Sequence, residues 1–164
     1  MITVYQSGVL HFHNKMYKCA LGRNGIKKRK QEGDGCTPEG IYSLGPMYYR
    51  SDRIKSLNTY FNPIPIEKDM FWSDYPQSKH YNKLIRFKDS SYEKLYKEDH
   101  TYDIILVINY NVSPIIKGKG SAIFLHLAKK DYSPTSGCIT LKKKCFFEIL
   151  EKLDINDKIK IVSE

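Results

Sequence analysis

His126 and Cys138, with eleven residues between them, are of the two types that can act together as base and nucleophile. His126 ends an apolar run, residues 122–125, which predicts a buried strand. The polar stretch 133–137 predicts a loop, and that loop ends on Cys138. A strand end followed by a returning loop can bring imidazole and thiol within hydrogen-bond reach. Neutral imidazole can then take the thiol proton, which makes the sulfur a far better nucleophile.

The turn before the cysteine has residues suited to support this chemistry. Gly137 lets the backbone adopt conformations barred to other residues. Successive amide groups in such a turn can form an oxyanion hole, and we expect its donors to be the amides of Gly137 and Cys138. The hydroxyls of Thr135 and Ser136 either hydrogen-bond to the thiolate or substrate or only stabilise the turn, and the sequence favours neither interpretation.

The segment 120–140 resembles the active-site motif of the YkuD-type L,D-transpeptidases, in which a histidine at a strand end precedes Ser/Thr-His-Gly-Cys. In this resemblance His126 is the base and Thr135 fills the Ser/Thr position. Gly137 and Cys138 match the motif directly.

The chain departs from that motif at three points. Ser136 stands where most of the family has a second histidine, and Thr140 stands where an arginine or asparagine commonly follows the cysteine by two. The loop from histidine to cysteine is also shorter than usual. The nucleophile and base are retained, so these departures concern substrate recognition, because the missing arginine is a natural carboxylate clamp.

Two further segments resemble the same family. Residues 33–40, Gly-Asp-Gly-Cys-Thr-Pro-Glu-Gly, are similar to its Gly-x-Thr-Pro-x-Gly turn. The aromatic, proline-punctuated segment 48–88 resembles an insert of one bacterial branch, in which Trp, Asp and Tyr-Asn recur. Either its aromatic side chains close the core, or four of its residues wall the substrate cleft: Trp72, Asp74, Tyr81 and Asn82. In the second interpretation Tyr81 or Arg86 replaces the missing arginine in holding a stem-peptide carboxylate.

Length and composition indicate one globular domain over residues 1–164, with 41% hydrophobic and 27% charged residues. No apolar run reaches the roughly 18 residues of a membrane span. The chain starts without a basic or apolar leader pattern. The resemblance implies a substrate in the cell envelope or periplasm, so we expect a removed leader, another export route or action on internalised fragments.

The net charge of +9 has two interpretations. It reflects either a solvated lysine-rich surface or attraction to an anionic polymer of the envelope. A nucleic-acid partner is not expected, because residues 27–30 form the only tight basic cluster and no nucleic-acid-binding motif accompanies it. The four cysteines show no zinc spacing. We expect Cys19 and Cys145 to be buried and Cys36 to be exposed.

The apolar patterns predict a mainly β chain with two or three helices. Strands are expected within residues 1–22, from Ile41, and at 158–162, and the continuous apolar run in 102–110 predicts a strand buried on both faces. Helices are expected at 91–99 and at 141–153, the second capped by Thr140. The resemblance, which covers most of the chain, implies a single-domain β-sandwich of mixed sheets with the cysteine at one end.

The resemblance also implies a mechanism that needs no metal or organic cofactor. Cys138 attacks an L,D bond of a peptidoglycan stem peptide, and His126 protonates the leaving D-amino acid and later deprotonates the acceptor amine. A backbone carbonyl, here that of Leu127, orients the histidine. Three alternatives stay open: a hydrolytic L,D-carboxypeptidase or endopeptidase, a non-catalytic wall-binding module, and, last, a basic nucleic-acid-binding domain. The sequence does not predict an oligomeric state.

Overall fold

The computed structural model of the protein describes all residues from 1 to 164. In chain order its elements are β1 (Ile2–Tyr5), β2 (Val9–Phe12), β3 (Lys15–Lys18), β4 (Ile26–Lys27), β5 (Thr37–Pro38), β6 (Gly40–Tyr49), β7 (Ile64–Pro65), β8 (Phe71–Ser73), β9 (Leu84–Ile85), β10 (Tyr92–Lys94), β11 (Ile104–Ile108), β12 (Phe124–Leu127), β13 (Ile139–Leu141), α1 (Lys143–Leu150) and β14 (Lys158–Val162). None of the helical structure is long and apolar enough to cross a membrane.

The strands form one large mixed sheet and two small sheets. The large sheet has nine strands in the order β13-β12-β11-β6-β14-β1-β2-β3, with β7 added beside β6. The long strand β6 joins its two halves, because residues 40–43 pair with β14 and residues 44–49 pair with β11. Beyond β3, Ala20 pairs with Thr140 of β13, so the two edges are tied and the sheet curls around a core. The predicted mainly β fold with mixed sheets is confirmed.

Two apolar clusters fill the interior. The large core includes alternate residues of β11, namely Ile104, Leu106 and Ile108, and Leu125 of β12. The small core takes the intervening residues of β11 and also Phe124. Its members are Tyr48, Ile66, Met70, Trp72, Leu95, Tyr102, Ile105, Val107, Phe124 and Cys138. Because side chains of a strand alternate between its faces, β11 and β12 form a wall shared by the two cores, as the prediction of a strand buried on both faces requires.

Two helix predictions need correction. The helix expected at residues 91–99 is wrong: residues 92–94 form β10, which pairs with β8, and Leu95 is fully buried in the small core. Only one helix is present, α1, and it is shorter than the predicted 141–153. Thr140 does not cap it, because Thr140 lies in β13; the helix begins after Lys142 with no side-chain cap.

All four cysteines are free thiols. Cys19 is buried, as predicted, whereas Cys145 is only partly buried at the edge of the large core. The expected exposure of Cys36 is wrong. Its sulfur is covered by the glycine-rich loop, where it lies 3.6 Å from the carbonyl oxygens of Asn24 and Asp34.

Candidate active site

His126 and Cys138 line the same cavity, which has a volume of about 540 Å³. Parallel pairing of β12 with β13 places His126 opposite Thr140, two residues after the cysteine. Cys138 directly precedes β13, and its thiol lines the same cavity as the imidazole that β12 presents. The structure thus brings together the two residues that the sequence motif singled out.

The imidazole of His126 is buried and fixed in orientation. Its Nδ1 lies 3.1 Å from the carbonyl oxygen of Leu127, as expected, and 3.2 Å from that of Thr101. Carbonyls only accept hydrogen bonds, so Nδ1 carries the proton and Nε2 is left as the basic nitrogen. Burial lowers the pKa of His126 to about 4, against the opposing effect of these carbonyls, so the ring is neutral at neutral pH. The ring of Tyr102 packs edge-on at 4.8 Å between centroids.

The thiol of Cys138 is held by the backbone that leads into β12. It donates a hydrogen bond to the carbonyl of Ala122 (3.2 Å) and accepts one from the amide of Phe124 (3.4 Å). No hydrogen bond joins the thiol to His126 in this conformation. Burial raises the pKa of Cys138 to about 12. The resting pair is therefore a neutral thiol and a neutral imidazole.

The turn before Cys138 is stabilised by the Thr135 hydroxyl. This hydroxyl donates to the carbonyl of Cys138 (2.6 Å) and accepts from the amide of Gly137 (3.0 Å). The Gly137 amide is therefore already engaged, contrary to the expectation that it is an oxyanion donor. The amide of Cys138 makes no hydrogen bond within the protein and remains available.

The Thr-Pro turn at residues 33–40 packs against the turn that precedes Cys138 and is hydrogen-bonded to it. The hydroxyl of Thr37 donates to the carbonyl of Gly137 (2.9 Å) and accepts from the amide of Gly22 (2.9 Å). Gly137 has a φ of +143°, and a Cβ there would lie 2.8 Å from the carbonyl oxygen of Cys36. A side chain at 137 would thus clash with the backbone of the Thr-Pro turn. The two sequence motifs form one packed unit.

Charged side chains of both signs line the cavity. The cations are Arg23, Lys30, Lys97 and Lys129, and the acids are Glu32, Asp74, Glu93 and Asp99. Lys97 pairs with Glu93 at 3.0 Å, and Lys30 pairs with Asp34 at 2.7 Å. Arg23 has no carboxylate partner; its Nη1 donates to the Ser136 hydroxyl at 3.0 Å. It is therefore a cation in the cavity that is free to bind an anionic group.

The residues predicted to wall the cleft fall into two groups. Asp74 lines the cavity, and its Oδ1 is buried without a hydrogen-bond partner. Trp72, Tyr81 and Asn82 are buried and are not part of the cavity lining. Trp72 packs on Phe124 in the small core, which agrees with the interpretation that the aromatic residues close the core.

Tyr81 lies outside the cavity lining but contacts Glu32, which is part of it. Its hydroxyl donates to Glu32 (2.7 Å) and accepts from the amide of Gly120 (2.9 Å). Ser121 also donates to Glu32, at 3.0 Å. Because the Tyr81 hydroxyl is engaged by an acid, it is not placed to clamp a substrate carboxylate.

Arg86 does not reach the cavity. Its guanidinium donates to Glu67 (2.7 Å) and Asp69 (2.8 Å), which are both exposed. The hypothesis that Arg86 replaces the missing arginine therefore needs correction. Arg23 is the cavity arginine that the sequence interpretation missed. It follows Gly22, which pairs with Thr135 across the cavity edge, and no local pattern distinguishes it from other basic residues of its loop.

No cluster of three or more His, Cys, Asp or Glu side chains in residues 1–164 is arranged to hold a metal ion. Fold and site together define the class: a mainly β protein that presents a cysteine and an oriented neutral histidine to a polar cavity. The family model of the YkuD L,D-transpeptidase catalytic domain matches residues 1–161. The chain belongs to this family.

The other comparisons are more distant. No curated protein matches the chain. Among solved structures, a point mutant of the helical cell shape determining protein Pgp2 from Campylobacter jejuni is similar at 14% sequence identity with a TM-score of 0.46. The similarity covers 99% of this chain and 46% of that one, so the chain spans about half the length of the solved structure.

Proposed function

We propose that the protein is an L,D-transpeptidase that transfers the acyl group of a peptidoglycan stem peptide through Cys138, with His126 as its base. The observation that carries the proposal is the shared cavity of these two residues. In it His126 is neutral and its Nδ1 is anchored by two carbonyls, so that Nε2 can accept a proton. Membership of the YkuD family supports peptidoglycan stem peptides as the substrate class.

The first step requires the thiol to turn from Ala122 towards the imidazole. The thiol proton passes to Nε2 of His126, the sulfur forms a bond to the carbonyl carbon of the L-residue, and a tetrahedral oxyanion results. Collapse of this intermediate breaks the C–N bond, and His126 returns the proton to the departing D-amino acid. A thioester remains on Cys138. An acceptor amine then gives up a proton to His126 and forms a bond to the acyl carbon, the C–S bond breaks, and His126 returns the proton to the sulfur of Cys138.

The free amide of Cys138 is the proposed oxyanion donor. This amide belongs to the proposed nucleophilic residue and makes no other hydrogen bond, whereas the Gly137 amide donates to the Thr135 hydroxyl. A preorganised donor at this point stabilises the charge that develops only in the transition state.

Arg23 is the proposed partner of a substrate carboxylate. It lines the cavity, has no acidic partner and is fixed to the cysteine turn through Ser136. Its backbone is also fixed, because the Arg23 amide donates to the carbonyl of Thr135 at 2.8 Å. A guanidinium held in this way offers the fork of donors that suits a carboxylate. Arg23 thereby takes the role of the arginine that the family commonly has two residues after the cysteine, where this chain has Thr140.

Intact-protein mass spectrometry after incubation with a carbapenem tests the proposal. We expect a single acyl adduct on the wild type and on Cys36→Ala, and none on Cys138→Ala. Cys36 is the matched control because it is a buried thiol in the Thr-Pro turn, outside the cavity lining. An adduct that survives Cys138→Ala would contradict the proposed nucleophile.

Product analysis with stem tetrapeptides identifies the acceptor. Crosslinked dimers are expected for a transpeptidase. Trimmed monomers without dimers would instead assign the hydrolytic alternative, in which water takes the place of the amine. Binding to the wall without an adduct or any product would assign the non-catalytic binding module.

A further inference from the structure

Ala122, whose carbonyl accepts a hydrogen bond from the Cys138 thiol, has a left-handed backbone conformation. Its φ is +52°, a region that residues with a Cβ rarely adopt. Ala122 lies directly before the segment that enters β12, and its side chain packs against the small core. In this conformation the Ala122 carbonyl points at Cys138.

Asn82 is the side chain that holds this backbone. Its Oδ1 accepts a hydrogen bond from the Ala122 amide (3.0 Å) and another from Nε1 of Trp72 (2.9 Å). Its Nδ2 donates to the carbonyls of Tyr110 (3.1 Å) and Asn111 (2.8 Å).

All four hydrogen-bonding positions of the Asn82 amide are therefore filled, and the residue is only 4% exposed. Asn82 itself has a φ of +57°, which asparagine tolerates better than most residues. Few other side chains could make these contacts from this backbone.

We propose that Asn82 is a positioning residue that fixes the backbone at Ala122, so that the Ala122 carbonyl accepts a hydrogen bond from the Cys138 thiol in the resting protein. Consecutive hydrogen bonds connect Trp72 to Asn82, Asn82 to the Ala122 amide, and the Ala122 carbonyl to the sulfur of Cys138. The carbonyl stabilises the protonated thiol and directs its hydrogen away from His126. An acyl donor entering the cavity competes with this arrangement, and the thiol is released to the imidazole.

This inference rests on Cys138 being the reacting group, but its test requires no transpeptidase activity. The thiolate and not the thiol reacts with alkylating agents. A carbonyl that stabilises the thiol therefore slows alkylation of Cys138. The rate with iodoacetamide, followed for each cysteine by peptide mass spectrometry, measures the effect directly, and Cys19 and Cys36 serve as internal controls in every sample.

Two substitutions should release the carbonyl by independent routes. Asn82→Gly keeps a backbone that tolerates positive φ but removes the amide group, and Ala122→Val introduces a β-branched residue that resists the left-handed conformation. We expect Cys138 to be alkylated about threefold to tenfold faster in both, the range expected from one lost hydrogen bond. The rates of Cys19 and Cys36 should not change.

Two matched variants should leave the carbonyl in place. Ala122→Gly adopts the same φ without strain, and Trp72→Phe removes one donor to Asn82 while the bond to Ala122 remains. In both variants Cys138 should be alkylated at a rate within about twofold of that in the wild type. If Asn82→Gly does not fold, Asn82→Ser, which also lacks the amide group, takes its place, and the comparison of Ala122→Val with Ala122→Gly tests the Ala122 carbonyl separately.

Three results would overturn the inference. The first is an unchanged Cys138 rate in the releasing variants. The second is a parallel increase at Cys19 and Cys36, which would indicate general loosening of the fold. The third is an equal increase in Ala122→Gly and Ala122→Val, because backbone conformation would then not be the cause. Absence of a carbapenem adduct would count against the proposed function alone.

Discussion

Strands β11 and β12 separate two regions of opposite character. On one side the large core is closed by Leu125, Ile139 and their neighbours, which are fully buried. On the other side the ring of Tyr102 contacts both Phe124 and His126, and the sulfur of Cys138 belongs to the small core. Strand β12 and the turn that leads into β13 thus contribute apolar side chains to one region and the proposed reacting groups, His126 and Cys138, to the other.

The stability of the fold and the proposed chemistry depend on opposite faces of the same strands. Burial of apolar side chains in the large core is favourable at every position. Burial on the cavity side disfavours the charged forms, which is why the pKa of His126 is lowered and that of Cys138 is raised. Substitutions on the two sides of the same strands should therefore change different measured properties.

Substitution of one cysteine in each region should give the largest contrast between turnover and stability. Cys138→Ala removes the proposed nucleophile, and we expect turnover of stem tetrapeptide to fall by at least about a thousandfold. Cys19→Ala changes a buried thiol of the large core and should retain turnover while losing about 1 kcal/mol of stability. Steady-state kinetics and urea unfolding measure the two effects. Equal losses of turnover in both variants would contradict the separation.

Leu125→Ala should produce the opposite result. Leu125 is fully buried in the large core, one residue before His126. We expect its truncation to cost about 2–5 kcal/mol in free energy of unfolding, because a cavity remains. The folded protein should still form the carbapenem adduct at Cys138. Leu125→Met is the matched control and should cost less than about 1.5 kcal/mol. Loss of the adduct in folded Leu125→Ala would contradict the prediction.

The sequence predicted those features that depend on local pattern. Strand β11 was recognisable because its five residues are all apolar, and a continuous apolar run is typical of a strand buried on both faces. All five are buried in the structure. His126 and Cys138 were found because strand end, loop and cysteine lie within one short segment. The prediction of a helix at 91–99 was wrong because it rested on the helical spacing of Tyr92, Leu95 and Tyr96. In the structure residues 92–94 pair with β8 instead.

The rest of the site depends on contacts between distant parts of the chain. Arg23 reaches Ser136 across 113 positions, and Thr37 reaches Gly137 across 100. Such contacts leave no periodic trace. The expectation for Asn82 illustrates the limit: its segment was recognised as unusual, but only the structure shows that its amide binds backbone behind the cavity and not the cavity itself.

The buried histidine should make stability depend on pH. The pKa of His126 is about 4 in the folded protein and near its ordinary value of 6.5 when unfolded. Between these values the unfolded chain binds the proton and the folded protein does not, so protonation favours unfolding. Stability is fully present above pH 6.5 and is lost as the pH falls towards 4. Relative to His126→Gln, the wild type should lose about 3 kcal/mol over this window in urea unfolding. Parallel curves for the two proteins would contradict the prediction.

The smallest expected effect tests which arginine faces the substrate. Arg23 lines the cavity without an acidic partner, whereas Arg86 is paired with Glu67 and Asp69 on the surface. Arg23→Ala should raise the KM for a stem tetrapeptide by about tenfold, the typical value of one charge-assisted hydrogen bond. Arg86→Ala is the matched control and should leave KM unchanged.

Amidation of the tetrapeptide's terminal carboxylate sharpens this test. If Arg23 binds that carboxylate, the wild type should lose affinity for the amide, and Arg23→Ala should treat acid and amide alike. The two changes then remove the same interaction, so their effects do not add. A full tenfold loss in Arg23→Ala with the amidated peptide would instead place the guanidinium on another group of the substrate. Its position beside Ser136 would then serve to shape the turn that carries Cys138.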